Sequence, residues 1–233
     1  IDTLQILIAG CGTGEHPITT ASMFKNCNVL AIDLSLSSVA YAKRKTEELG
    51  ISNIEYMQAD ILDLAVLDRK FDIIESGGVL HHMDDPMAGW KVLTDCLNTG
   101  GFMRIGLYSE LARRGVVQIR DEIEQSNIES SHDAMKLFRN KIVSSEEEHH
   151  KLIAMSSDFY SMSTLRDLLF HVQEHRFTIP QIEASLTQLG LVFCGFENMD
   201  FVEGNCDLEK WDTFEKENPK TFSGMYQFWC QKV

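Results

Sequence analysis

The junction at residues 4–14 constrains this chain more than any other segment. A short apolar run, Leu4 to Ala9, ends directly in Gly10-Cys11-Gly12-Thr13-Gly14. An apolar run of that length, closed by glycines, reads as a buried strand. Helical spacing follows over Ile18 to Phe24, with Pro17 suited to the first turn. Glycines between a strand and a helix allow tight turns and let a ligand approach the backbone closely.

The alternation continues along the chain. Asn28 to Asp33, Asn53 to Gln58, Phe71 to Ser76 and Phe102 to Tyr108 read as strands. Ser35 caps a helix to about Leu49 that Gly50 closes, and Pro86 to Leu97 is helical until Gly100-Gly101 breaks it. This βαβ order implies a parallel sheet wrapped by helices. Residues 109–176 are helix-forming and charge-rich without a clear strand, so a helical insertion or lid is expected there. Thr178 to Gln181 then resembles a capping box ahead of a helix to Leu189. Leu191 to Glu197 reads as a strand, Trp211 to Lys216 as a short helix and Met225 to Lys232 as a final strand. The last two strands lack the usual crossover helix, and an antiparallel pair at the sheet edge fits them.

The 233 residues are 44% hydrophobic, enough for one sizeable core, and we expect a single domain over 1–233. A formal net charge of -14 opposes binding to phosphate backbones, so nucleic acid is not an expected partner. Six scattered cysteines form no C-x-x-C pair and suit a cytoplasmic protein. No apolar run reaches bilayer-spanning length, and no membrane partner is expected. The chain starts almost at its first strand, which leads us to expect that residues before Ile1 were removed or belong to another part of a longer protein.

Asp33 ends the second strand. Ligands of open parallel sheets bind beyond the carboxyl ends of the strands. The glycine loop and Asp33 therefore border one crevice, where a carboxylate can accept hydrogen bonds from both hydroxyls of a ribose. A dinucleotide fingerprint would need a third glycine where this chain has Glu15. An anion at a helix N-terminus repels the pyrophosphate that the terminus should attract, which argues against a nicotinamide oxidoreductase.

The runs ILIAGCGTGE, AIDLS, QADI, FDIIESGGVLHHMDDP and LNTGGFMRIGLYS follow one another over residues 4–109. In order and spacing they resemble the motifs of class I S-adenosylmethionine-dependent methyltransferases. The resemblance implies an α/β, Rossmann-like, doubly wound sheet of seven strands, mostly parallel with an antiparallel edge strand. It also implies S-adenosylmethionine as cofactor and a small-molecule or protein acceptor. By the same resemblance, Gly10, Cys11, Gly12 and Gly14 lie against the methionine part and Asp33 holds the ribose, with Leu34 beside the adenine. Asp60 accepts from the adenine amino group, Ile61 offers its backbone amide to the ring, and Ser76 and Gly77 pass near the methionine amino group or the sulfonium. The family often carries an acidic residue two places before the first glycine, where this chain has Ile8. That departure motivates an alternative, a module that binds the cofactor without catalysis. The segment DFYSMSTLRDLLFHVQEHRFTIPQI resembles bacterial methyltransferase domains joined to tetratricopeptide repeats, which implies an N-terminal repeat domain of the same protein as a partner.

Methyl transfer from a sulfonium is a displacement in which the protein mainly aligns the reactants. A base is needed only where the nucleophile must lose a proton. His81, His82 and Tyr108 follow the fourth and fifth strands and are the catalytic candidates; capping and packing roles compete with that reading. Tyr160, Arg166, His171 and His175 are substrate-pocket candidates. His171-Val-Gln-Glu174-His175 fits H-x-x-E-H, which on a helix would put both imidazoles on one face. The cofactor loop argues for other chemistry, and no metal is expected. Glu146 to His150 reads as a solvated helix face, with metal binding as the lesser alternative.

Overall fold

The computed structural model describes residues 3–24, 26–171, 173–197 and 206–233. Its strands are β1 (Leu4–Ala9), β2 (Cys27–Asp33), β3 (Ile54–Gln58), β4 (Phe71–Gly77), β5 (Leu97–Tyr108), β6 (Leu191–Phe196) and β7 (Met225–Lys232). They form one seven-stranded sheet in the order β3-β2-β1-β4-β5-β7-β6. β7 runs antiparallel to both β5 and β6, and the remaining pairs are parallel. This is the Rossmann-like arrangement, with the antiparallel pair closing one edge.

The helices are α1 (Glu15–Met23), α2 (Leu36–Glu48), α3 (Pro86–Cys96), α4 (Arg114–Gln125), α5 (His132–Val143), α6 (Glu148–Ala154), α7 (Met162–Leu169), α8 (Ile179–Leu189) and α9 (Leu208–Glu217). Strand residues alternate between the two faces. Ile6, Ile8, Val29 and Ala31 pack with Ala21 of α1 and Val39 of α2. Leu7, Ile74, Met103 and Ile105 pack on the other face with Trp90 and Leu93 of α3, Ile182 of α8 and Trp211 of α9. Burial on both faces explains why β1 reads as an apolar run rather than an alternation. Helices α4 to α7 enclose a separate core of Ile119, Phe138, Ile142, Phe159 and Leu165.

Several boundaries differ from the sequence reading. α1 starts at Glu15, immediately after Gly14 in its left-handed conformation. β5 starts at Leu97 and runs through Gly100-Gly101; the register jumps from Phe71↔Leu97 to Ile73↔Phe102, so these glycines sit in an irregular stretch of the strand. α9 begins at Leu208, capped by Asp207. The H-x-x-E-H stretch is not helical, because α7 ends at Leu169 and residues 173–175 lie outside any helix. The shared helical face that a zinc peptidase would need is therefore absent from it. The capping box at Thr178 and Gln181 forms as the sequence implied. Among the described residues, no helix is long and apolar enough to cross a membrane.

Candidate active site

The glycine loop lies at the carboxyl ends of β1 and β2. Gly10 N and Cys11 N both donate to Ile32 O at 2.9 Å, which ties the loop to β2. Gly10, Gly12 and Gly14 have φ of 87°, 51° and 94°, which favours glycine at all three. A Cβ on Gly10 would lie 2.0 Å from Val79 Cγ2, and one on Gly14 would lie 2.6 Å from the Ala42 Cβ. Around Gly12 there is open space. The outer glycines are required by packing, whereas the middle one leaves its backbone accessible to a ligand.

Asp33 closes this crevice. Its Oδ2 accepts Gly12 N at 2.8 Å and its Oδ1 accepts Ser35 N at 2.9 Å. Each oxygen keeps acceptor capacity for a ribose hydroxyl. Leu34, next in sequence, is 67% exposed, an apolar surface suited to the flat face of adenine. Asp60 caps the 3-10 segment Ile61–Leu67, with its Oδ1 accepting Leu62 N at 2.9 Å, and Ile61 is buried beneath. Gly77 is exposed at the end of β4, but Ser76 is fully buried, so of the two only Gly77 is open to the crevice. Cys11 is buried, and burial followed by the Asp33 charge pushes its thiol up to about 12. It is an inert thiol that packs the loop. A cradle without a side chain at Gly12, a carboxylate positioned by two amides and an exposed leucine fit S-adenosylmethionine.

A residue missed by the sequence reading is Glu75. It is buried on β4, in register with Ile8 of β1. Its Oε2 lies 2.5 Å from His16 Nε2, and Oε1 accepts Thr20 Oγ1 at 3.1 Å. Both partners belong to α1. Arg104 Nη1 of β5 stands 3.9 Å from Glu75 and its guanidinium is held bidentately by Glu197 at 2.6 and 2.7 Å. The signal for Glu75 was an acidic residue directly after the apolar pair Ile73-Ile74 in a buried strand.

The catalytic candidates converge. The His81 ring stacks on Tyr108 at 3.6 Å between centroids, and Arg113 Cζ lies 3.6 Å from the Tyr108 centroid. His81 is fully buried; burial, then His82 and Arg113, holds it down to about 2, so it is a neutral packing ring. Its location favours support of Tyr108 over contact with a substrate. His82 stays below the ordinary histidine value through burial. Its Nδ1 lies 3.0 Å from the Gln173 carbonyl, which can only accept, so Nδ1 carries the proton and Nε2 keeps a lone pair. The His82 ring also packs 4.0 Å from His171.

Behind this stack lies the ion cluster that absorbs the H-x-x-E-H sequence. Glu174 accepts Arg113 at 2.9 and 2.7 Å and Arg120 at 2.9 Å, with Arg176 at 3.6 Å. Burial raises the Glu174 carboxyl, but the guanidiniums outweigh it and hold it below the usual value. His171 Nδ1 bonds the Gln173 carbonyl at 2.8 Å, and His175 Nε2 meets Gln173 Nε2 at 3.2 Å.

A cavity of about 750 Å³ opens between the ends of β5 and β7 and helices α4, α6 and α7. Tyr108, Arg113, Asp158, Asp167, Phe222 and Met225 are among its walls. Met225 stands between this cavity and the end of β4, its Cε 4.0 Å from the Cβ position of Gly78. Tyr160, Arg166, His171 and His175 do not line it. Tyr160 is 63% exposed with its hydroxyl on the Ala154 carbonyl, and Arg166 donates to the Ser130 carbonyl at 3.2 Å. Asp167, one residue further round α7, takes the place expected of Arg166.

Residues 6–101 match the family model of a methyltransferase domain. An uncharacterized protein of Synechococcus sp. is 29% identical over 205 residues, covering 84% of this chain and 49% of that protein. Demethylmenaquinone methyltransferase of Bacillus cytotoxicus is 30% identical over 92 residues, 39% of each chain. The solved structure of PKMT2 from Rickettsia typhi in complex with AdoHcy aligns with 99% of this chain and 49% of its own at a TM-score of 0.76 and 18% identity. The chain thus spans about half the length of the Synechococcus and Rickettsia typhi proteins. Residues 6–101 thus match a methyltransferase domain, and the sheet order and glycine loop agree with the class I S-adenosylmethionine-dependent type.

Proposed function

We propose that this domain methylates an amine seated in the 750 Å³ cavity, with helices α4 to α7 as its lid. The carrying observation is the pair of carboxylates, Asp158 and Asp167, on the cavity wall beside Tyr108. Their charges help to raise the Tyr108 phenol, after burial and against Arg113, so it stays protonated as a neutral wall group. Arg113 is engaged by Glu174, which Arg120 shares, and Asp158 and Asp167 are the wall carboxylates that would attract an ammonium, with Lys220 the opposing charge on the same wall.

The amine must shed its proton before its lone pair attacks the methyl carbon. S-adenosylmethionine held at the glycine loop and Asp33 would supply the methyl as an activated sulfonium and would leave as a neutral thioether. We assign the amine's proton to His82 Nε2, whose ring lies 5.4 Å from that of Tyr108 on the cavity wall. A cavity of this size suits a small amine or a single side chain of a peptide. The cytoplasmic setting rests on the free cysteines, and the N-terminal repeat partner on the resemblance carried by residues 158–182.

Transfer of labelled methyl from S-adenosylmethionine to matched amine, carboxylate and hydroxyl acceptors tests this reading. Amines should be methylated, Asp167→Asn should raise KM about tenfold, as for one lost charge-assisted bond, and His82→Gln should lower kcat and flatten the acid limb of its pH profile. A preference for carboxylate acceptors, or indifference to Asp158 and Asp167, would contradict it.

A further inference from the structure

On the far wall of the insertion, two helices bring three metal-ligating groups to one point. Glu122 of α4 offers Oε1 at 2.7 Å from His149 Nε2 and 3.0 Å from His150 Nε2, both on α6. All three ligand atoms lie within 4.8 Å of one another. None of them belongs to the cofactor crevice, and the sequence reading left these histidines on a solvated helix face. His150 is in fact 3% exposed.

We propose that Glu122, His149 and His150 form a zinc-class divalent metal site that clasps α4 to α6. Two imidazole nitrogens and one carboxylate oxygen are a common zinc donor set. In a tetrahedral zinc site, bonds of about 2.0–2.2 Å put neighbouring ligands about 3.3–3.5 Å apart. The present spacings of 2.7 and 3.0 Å therefore need to open by about 0.3–0.8 Å. The buried ring is already oriented: His150 Nδ1 bonds Ser145 Oγ at 2.7 Å. A hydroxyl can donate to that nitrogen or accept from it, so Ser145 serves the ring with or without an ion on Nε2. Three protein ligands leave a fourth position for water.

Lys141 Nζ stands 3.5 Å from Glu122 Oε2 and opposes a cation there. It gives the proposal a sign that an ordinary hydrogen-bond cluster lacks: removing it strengthens metal binding. His149 also forms part of the wall of the 750 Å³ cavity, so the ion would stiffen that wall.

The test uses the whole chain after chelator treatment, titrated with Co²⁺ and, in competition, Zn²⁺. One equivalent should bind with the visible bands of tetrahedral cobalt and raise Tm. His150→Gln and Glu122→Gln should each weaken binding by at least about tenfold, with S-adenosylhomocysteine affinity unchanged as the check on folding. Lys141→Gln should tighten it several-fold. The proposal falls if the unmodified chain binds no stoichiometric metal. It falls equally if the cobalt bands survive in both ligand variants, which would place the ion on other histidines or on the cysteines. A Lys141→Gln chain that binds no more tightly would also contradict it.

Discussion

Glu75 on β4 stands level with Ile8 on β1 and fixes α1 through His16 and Thr20. The carboxylate that the family often carries at the position of Ile8 has a counterpart one strand away. From there it anchors the helix that begins at the glycine loop. Ile8 therefore gives no support to a non-catalytic module. Glu75→Ala should weaken S-adenosylhomocysteine binding by about tenfold or more, since a hydrogen bond to a charged group contributes about 1.5–3 kcal/mol. Calorimetry on folded variant protein checks this; unchanged affinity would limit Glu75 to a structural role.

Gly10 is fixed by contact as much as by its φ. Gly10→Ala should abolish measurable cofactor binding and lower Tm, because the new Cβ would meet Val79 Cγ2. Val79→Ala in the same chain should restore part of the Tm, leaving the backbone strain of about 1–3 kcal/mol. A Gly10→Ala chain with ordinary Tm would show that the β4–α3 loop yields.

Arg113 and Glu174 form a pair with side chains 5% and 1% exposed. Breaking it strands a buried guanidinium, so Glu174→Gln should cost about 3–5 kcal/mol in chemical denaturation. The pH dependence has a definite sign. The folded-state pKa of Glu174 is depressed, so its stabilisation is present above the unfolded value of about 4.3 and is lost as pH falls through the folded value. Acid should loosen the wild type in that window, and Glu174→Gln should lack that component.

The sheet was legible in the sequence because parallel strands buried on both faces appear as apolar runs between helical periods. The glycine loop and Asp33 were legible because tight turns and ribose recognition need particular residue types at a particular junction. The acceptor side was not. Asp167 and Arg166 are neighbours on α7, and which of them faces the cavity depends on how that helix is rotated in the insertion core. The H-x-x-E-H pattern misled for a related reason: residues 173–175 lie outside any helix, and Glu174 is claimed by Arg113 and Arg120 from α4 and its approach. Long-range pairings such as Glu75 with His16 or Glu122 with His150 leave no local periodicity to read.

The central claim is that Asp33, held by Gly12 and Ser35, binds the ribose of S-adenosylmethionine. Titration calorimetry with S-adenosylhomocysteine, on the unmodified chain and on Asp33→Ala, tests it most directly. We predict one site, with affinity falling by about ten- to a hundredfold in the variant, the equivalent of one or two charge-assisted hydrogen bonds. Equal affinity in the two chains, or no binding to the unmodified chain at millimolar ligand, would contradict it.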